Sequence, residues 1–504
     1  MPLPPWPETP THTHVARPER TFGLAATSLE VSAYSASAEY KVPVVGFPRR
    51  ATSYPRFKGE VMTTPSTGWY PDRSVEPTMA VAALQPEDDP FYSYTGSTPL
   101  ASIAPGTVLN FRSIQYHVLG VPTSLKTTQL LYRSTSQIGN PTVNVTSVIQ
   151  PLRPLNNKKV ISYQSAYDSL DRNDEPSHSI SGGHGLYGLI PSVELAVFGP
   201  FLVDGYTVIV PDTEGQRADF AAGPEYGMNT LDSIRAAFQS SAVGLPSDAK
   251  VAMLGYSGGA IATEWAAELA PAYAPDINGR MIGAAMGGLL VHPAHNLHYI
   301  EDTWFWSGVL PMALVGITRA FEEEKEFRKY LSAKGVKLFD AMQTASIVEV
   351  LGHGDPQEKT GLKWADLAKP QYPTPESIPL YVDCVNKLIM GTGGDPDNAT
   401  KPEIPLFIGQ GANGDPEGTP GDKKGICAGD GVMIAGDVRT LARGYCAKGT
   451  TVWYEQYDDY SHISSLLIWV PNAIAWIKQR FAGDPAPQSS SIKPGNNLDP
   501  IPVP

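Results

Sequence analysis

Continuous apolar runs alternate with stretches of helical spacing through most of the chain. Segments 129–132 and 143–149 are apolar or alternating and predict strands. Segment 206–210, Tyr-Thr-Val-Ile-Val, is an apolar run that ends in Pro-Asp-Thr-Glu-Gly. Segment 229–241 sets Leu231, Ile234 and Phe238 at helical spacing, and 251–254 predicts a short buried strand. A helix over 259–269 and a strand over 281–286 continue the series. The strand pattern returns at 404–408 and 451–454, and 474–481 predicts a closing helix. Buried strands alternating with helices predict a parallel sheet covered on both faces.

Segment 290–400 breaks that rhythm. It carries the aromatic run Trp304-Phe305-Trp306 and a pattern that predicts one long helical stretch over 320–351. A helical insertion inside an alternating sheet predicts a cap over the sheet's working edge. The two chain ends differ again. Residues 1–86 are rich in Pro, Ser and Thr without sustained period, which predicts poor order or loose packing. The Pro-rich tail 483–504 reads the same way. The expected division is thus 1–86, a core of 87–289 and 401–482, a cap of 290–400, and the tail 483–504.

Composition narrows the classes. The 504 residues, 42% of them hydrophobic, are enough for a sizeable core, and the net charge of −13 argues against nucleic acid or an anionic membrane surface as partner. No run of apolar residues is long enough for a transmembrane helix. The opening MPLPPWPETPTHTHVARPER lacks the apolar centre of a secretory signal peptide. That leaves an intracellular chain, a start that is not the natural one, or export by another route. Three cysteines are too few for a disulfide scaffold, although one bridge between Cys427 and Cys446 is conceivable. Asn144-Val-Thr146 and Asn398-Ala-Thr400 match the glycosylation acceptor pattern, which is common by chance.

The strongest chemical signal is Gly255-Tyr256-Ser257-Gly258-Gly259. An apolar strand runs directly into it, and a helix of good formers (Ala260, Ile261, Ala262, Glu264, Ala266) runs out. Strand, sharp turn and helix are what a nucleophile elbow needs, because small flanking residues let the turn expose the serine oxygen. This predicts an α/β-hydrolase fold with a mostly parallel sheet and an inserted helical cap. It makes Ser257 the candidate nucleophile. A serine hydroxyl needs a base, and the base needs an orienting acid, in the chain order serine, acid, histidine. Of the ten histidines five follow Ser257, and four of these fall in 290–400. The fifth, His462, follows the last predicted strand and is the candidate base. The acid should follow strand 404–408, and Asp415, Asp422, Asp430 and Asp437 all qualify by order.

The run from Gly255 to Asp276 resembles the nucleophile region of the secretory lipase family. Asp89-Pro-Phe-Tyr92, Pro105-Gly-Thr-Val-Leu109, Gln129-Leu-Leu-Tyr-Arg-Ser-Thr135 and Asp212-Thr-Glu-Gly215 resemble its other segments, so the likeness spans about 87–482. The family places the acid sixteen residues before the cysteine of a Cys-Ala-Lys-Gly run, and the base sixteen after it. On Cys446-Ala-Lys-Gly449 this implies Asp430 and His462, with Asp415 as runner-up. The resemblance also implies oxyanion amides at Gly258 and at Asp168, which follows Tyr163-Gln164. A rival for the second is the glycine run Ser181-Gly-Gly-His-Gly185. One departure is an extra loop, Gly414 to Cys427, ahead of Asp430.

These readings predict a carboxylic ester hydrolase working through an acyl-enzyme, of triacylglycerol lipase type by resemblance. The resemblance also implies secretion. Rival readings are an esterase for small or acetyl esters, a peptidase or acyltransferase, and a non-catalytic binding module on the same fold. Trp304 and Trp306 are the candidate wall of an acyl site. No residue cluster has metal-ligand spacing and no dinucleotide fingerprint follows a strand, so neither metal nor cofactor is expected. The expected partner is a small-molecule or lipid ester, with at most transient contact with a lipid interface and no obligate protein.

Overall fold

The computed structural model describes residues 83–154, 158–183, 188–394, 400–421, 423 and 425–504. Of the N-terminal segment 1–86, residues 1–82 therefore lie outside the described residues.

One nine-stranded sheet organises the described chain. Its strands are β1 Val108–Val118, β2 Val121–Thr135, β3 Pro141–Ile149, β4 Lys159–Gln164, β5 Thr207–Pro211, β6 Lys250–Tyr256, β7 Met281–Gly287, β8 Leu406–Gly411 and β9 Val452–Tyr457. Their spatial order is β1-β2-β3-β5-β4-β6-β7-β8-β9. β1, β2, β3 and β5 pair antiparallel, and every neighbour from β5 to β9 is parallel. β1 and β4 are absent from the sequence-based list of strands. β1 alternates exposed with half-buried positions, and β4 is only six residues long.

The helices of eight or more residues are α1 Leu195–Val203, α2 Gly223–Gln239, α3 Gly258–Tyr273, α4 Pro293–Ile300, α5 Val309–Ala320, α6 Ala333–Ala341, α7 Pro379–Asn386, α8 Ala435–Ala447 and α9 His462–Ala482. Alternate strand residues serve opposite faces, as the pleat requires. Ile209, Met253, Ala284 and Ile408 pack with α2, α3 and α8 through Tyr226, Leu231, Trp265 and Leu441. Val208, Leu254, Ala285 and Phe407 pack with α1 and α9 through Phe198, Phe201, Trp469 and Trp476. A third apolar cluster lies between β7 and β8 in sequence. Leu310, Val315, Phe327, Phe339, Trp364 and Tyr381 build it, joined by Val432 and Met433 from the loop after β8.

Several expectations change. The single helix over 320–351 is broken into α6 and shorter turns, because serines restart helices within it. Ser332 caps α6, its hydroxyl accepting from the Gly335 amide, and Glu349 accepts from the Ser346 amide at the next start. The closing helix begins at His462 rather than 474, with Pro471 inside it obscuring the earlier turns. The tail after 483 is held in place: Arg443 donates to Ile492 O (2.7 Å), Asn496 to Asp437 (2.7 Å), and Ile501 to Asn386 (2.9 Å). Composition cannot reveal such partners. Cys427 and Cys446 are both free, so the conceivable bridge is not made. Asn144 is fully buried in β3 and donates to Asp212 O at 2.6 Å, which leaves no exposed acceptor there; Asn398 lies outside the described residues.

Candidate active site

β6 ends at Tyr256 and α3 begins at Gly258, so Ser257 alone makes the turn. Its φ of 54° and ψ of −123° lie in a region that costs a non-glycine residue of order 1–3 kcal/mol. The turn is possible because its neighbours are small. A methyl group on Gly255 would run into the Gly259 carbonyl, and one on Gly259 into the Gln164 carbonyl of β4. The Ser257 amide donates to Gly287 O at 2.9 Å, tying the turn to β7.

His462 Nε2 lies 2.8 Å from Ser257 Oγ, and His462 Nδ1 lies 2.9 Å from Asp430 Oδ2. A carboxylate can only accept, so Nδ1 carries the proton and Nε2 is left to accept from the serine. Asp430 is fully buried, yet both its oxygens are satisfied. Oδ1 accepts from the amides of Met433 (2.7 Å) and Val432 (3.2 Å), and Oδ2 from Gln410 Nε2 (2.8 Å). The His462 amide donates to Asp430 O at 2.7 Å, locking the two backbones together. Burial opposes the imidazolium, but Asp430, Glu417 and Asp168 outweigh it and raise the His462 pKa above its ordinary value. Of the other acids, Asp415 is exposed and accepts from the Gly421 amide, and Asp437 faces His295 and Asn496. Asp422 lies outside the described residues. Sequence reasoning missed Gln410, whose place at the end of β8 was its only signal.

Asp168 stands beside Gly258: a methyl on Gly258 would collide with the Asp168 carboxyl. Asp168 has a φ of 36°, a left-handed value that aspartate tolerates better than most residues. Two buried acids hold its loop. Glu194 accepts from the Ala166 amide (2.8 Å), and Glu214 from the Ser169 amide (3.1 Å). Among the described residues neither the Asp168 nor the Gly258 amide finds an acceptor. Burial pushes the Asp168 carboxyl up to about 7, against the pull of His462. The rival glycine run packs against His117 and His178 at Gly182 and Gly183, and 184–187 lie outside the described residues.

Two apolar cavities meet at Ser257. One runs under the helices that follow β7, between Phe220, Leu297, Val309, Ile317 and Met433. The other opens past Ile190, Val193, Val348, Leu351 and Ile463. Trp306 lines both, with its ring edge-on to His462 at 5.5 Å and 90°. Trp304 lines neither. It packs over Gly418 and the backbone at Gly354, a correction to the expected pair. Among the described residues no group of His, Cys, Asp and Glu could hold a metal ion.

The sequence model of the secretory lipase family matches residues 184–413 and 427–489 and leaves out the intervening loop. Lipase 1 of Candida albicans is 33% identical over 363 residues, covering 71% of this chain and 72% of that protein. Lipase 5 of the same organism is 30% identical over 415 residues, covering 79% and 81%. The X-ray structure of Candida antarctica lipase A in its closed state aligns with a TM-score of 0.70 at 26% identity, over 84% of this chain and 92% of that one. The neighbours share the α/β-hydrolase fold. With Ser257 and His462 both inside the matched segments, the chain belongs to the secretory lipase family and is a carboxylic ester hydrolase.

Proposed function

We propose that the chain is a lipase-type hydrolase that cleaves esters of long apolar acyl groups, with Ser257 as nucleophile, His462 as base and Asp430 as its orienting acid. One observation carries the reading: the hydrogen-bonded line from Asp430 through His462 to Ser257 Oγ ends where two apolar cavities meet.

His462 Nε2 takes the Ser257 proton as Oγ attacks the ester carbonyl. The carbonyl oxygen becomes an oxyanion facing the amides of Gly258 and Asp168. Preorganised amide donors of this kind stabilise charge that develops only in the transition state. The imidazolium then protonates the leaving alcohol, the acyl group stays on Ser257, and water releases it as a carboxylic acid by the same steps. Asp430 keeps the proton on Nδ1, so that Nε2 is the acceptor at each turn. The apolar walls of the two cavities suit an acyl chain, since they reward each buried methylene by at most about 0.8 kcal/mol.

Initial rates on p-nitrophenyl esters from acetyl to palmitoyl test the substrate class. A maximum at octanoyl or longer is expected. A maximum at acetyl or butyryl would assign the site to small esters.

A further inference from the structure

The loop between Gly414 and Ile426 lies outside the match to the family. It is nevertheless anchored at several points. Thr419 Oγ1 donates to Gly431 O at 2.6 Å, next to Asp430. Lys423 donates to the carbonyls of His298 (2.8 Å), Tyr299 (3.2 Å) and Glu301 (2.7 Å), the C-terminal end of α4, where a cation is favourable. Just ahead of these anchors sits Glu417, only 6% exposed. Its Oε2 accepts from the Trp306 indole N–H at 3.0 Å, and its Oε1 from the Ile463 amide at 2.8 Å, in the first turn of α9. Each oxygen thus serves a different side of His462: the cap indole against its ring, and the helix that carries it.

We propose that Glu417 is a positioning residue that ties the Trp306 indole and the start of α9 into one unit around His462. The proposal rests on His462 being the base. A carboxylate is the group the place demands, because two N–H donors converge on it and no proton can be spared. Glutamine offers one acceptor oxygen and turns its NH₂ against the second donor. A second ring, that of Tyr256, lies 5.2 Å from His462, and its hydroxyl donates to His462 O at 2.6 Å. The base is therefore held between two aromatic rings, and Glu417 fixes the indole N–H of one of them.

The charge has its own effect. The titratable groups around His462 are Asp430 from the loop before α8, Glu417, Asp168 after β4 and Tyr256 at the end of β6. Tyr299 of α4 faces Glu417 and Asp430. Glu417 is one of the carboxylates that favour the imidazolium. Neutralising it moves the acid limb of activity to lower pH, a change that loosened packing would not produce.

The test compares full-length wild type, Glu417→Gln and Trp306→Phe on p-nitrophenyl butyrate across pH, with thermal melting and His462→Ala alongside. Glu417→Gln is expected to stay folded, to lose roughly tenfold in kcat as the base wanders, and to shift its acid limb downward. Trp306→Phe keeps the charge but not the indole N–H, so kcat falls while the acid limb stays in place. Should Glu417→Gln fail to fold, Trp306→Phe decides the clamp on its own, and wild-type kcat in that variant overturns it. A folded Glu417→Gln with an unmoved acid limb overturns the proposal, whether its kcat is normal or merely reduced. His462→Ala with substantial activity would instead sink the base assignment beneath it.

Discussion

The two ends of the proposed catalytic line are built by opposite means. The nucleophile end is five consecutive residues, 255–259, and its geometry is a property of the backbone: glycines that no side chain could replace, and one serine in a strained turn. The acid and base end is assembled from separate loops. Asp430 is placed by the amides of Val432 and Met433 and by Gln410, and its spacing from β8 plays no part. That difference explains how the chain tolerates an extra loop. An insertion within 255–259 would destroy the turn, whereas the added loop between β8 and Asp430 leaves every hydrogen bond to the carboxylate intact. Contiguous sites resist insertion; dispersed sites held by tertiary hydrogen bonds absorb it.

Removing the serine is the most severe way to break the line. Ser257→Ala should leave the protein folded, since alanine fits the turn no worse than serine, while kcat falls by about 10⁶. Ester hydrolysis with a folded, melt-verified variant measures it, and a variant keeping a tenth of the activity would contradict the elbow assignment. Next in size is the acid. Asp430→Asn disturbs the Nδ1 proton and should lower kcat by roughly 10⁴, whereas Asp415→Asn, on an exposed turn, should change little. The reverse ranking would mean that the loop had moved the acid.

The same contrast decides what could be read from the sequence. Most of the sheet's parallel half was legible because β5, β6, β7 and β8 are largely apolar runs buried on both faces. The elbow was legible because strand, glycines and helix formers are adjacent. Choosing Asp430 among four aspartates needed the family spacing, since its burial and its bonds with Gln410 and His462 are contacts across the fold. Glu417 carried no local mark at all, and Gln410 only its place at the end of β8. Trp304 and Trp306 show the limit from the other side: two residues apart and chemically equal, they face different surroundings, which no periodicity in a turn encodes.

That pair gives the third prediction. Trp306→Ala removes a wall shared by both cavities and the ring against His462. It should depress kcat/KM for palmitoyl esters far more than for acetyl esters, by up to about fourfold for each methylene left unburied. Trp304→Ala should leave the chain-length profile in place, because its ring packs on Gly418. Kinetics across the acyl series for both variants separate the cases. A changed profile in Trp304→Ala would mean that the cavity walls extend further than the two tryptophans' packing implies.

The smallest effect sharpens the comparison most, because Asp168 joins a backbone role to a titrating side chain. In the proposed mechanism its amide faces the oxyanion, and its carboxyl sits against Gly258, where a negative charge would oppose that oxyanion. Burial raises the carboxyl to about 7, so it is neutral below that pH and ionised above it. Activity should therefore decline as pH rises through about 7, while the acid limb is set by His462 losing its proton. Asp168→Asn keeps the amide and the tolerance for a left-handed φ, and it cannot ionise. Relative to wild type it should gain roughly tenfold or more in kcat between about pH 6 and about pH 9, since ionisation changes the neutral fraction tenfold per unit. Its acid limb should also move lower, because Asp168 is among the carboxylates that support the imidazolium. Parallel pH profiles for wild type and Asp168→Asn would show that the carboxyl never bears on the oxyanion, and that this side of the site, like the elbow, acts through its backbone alone.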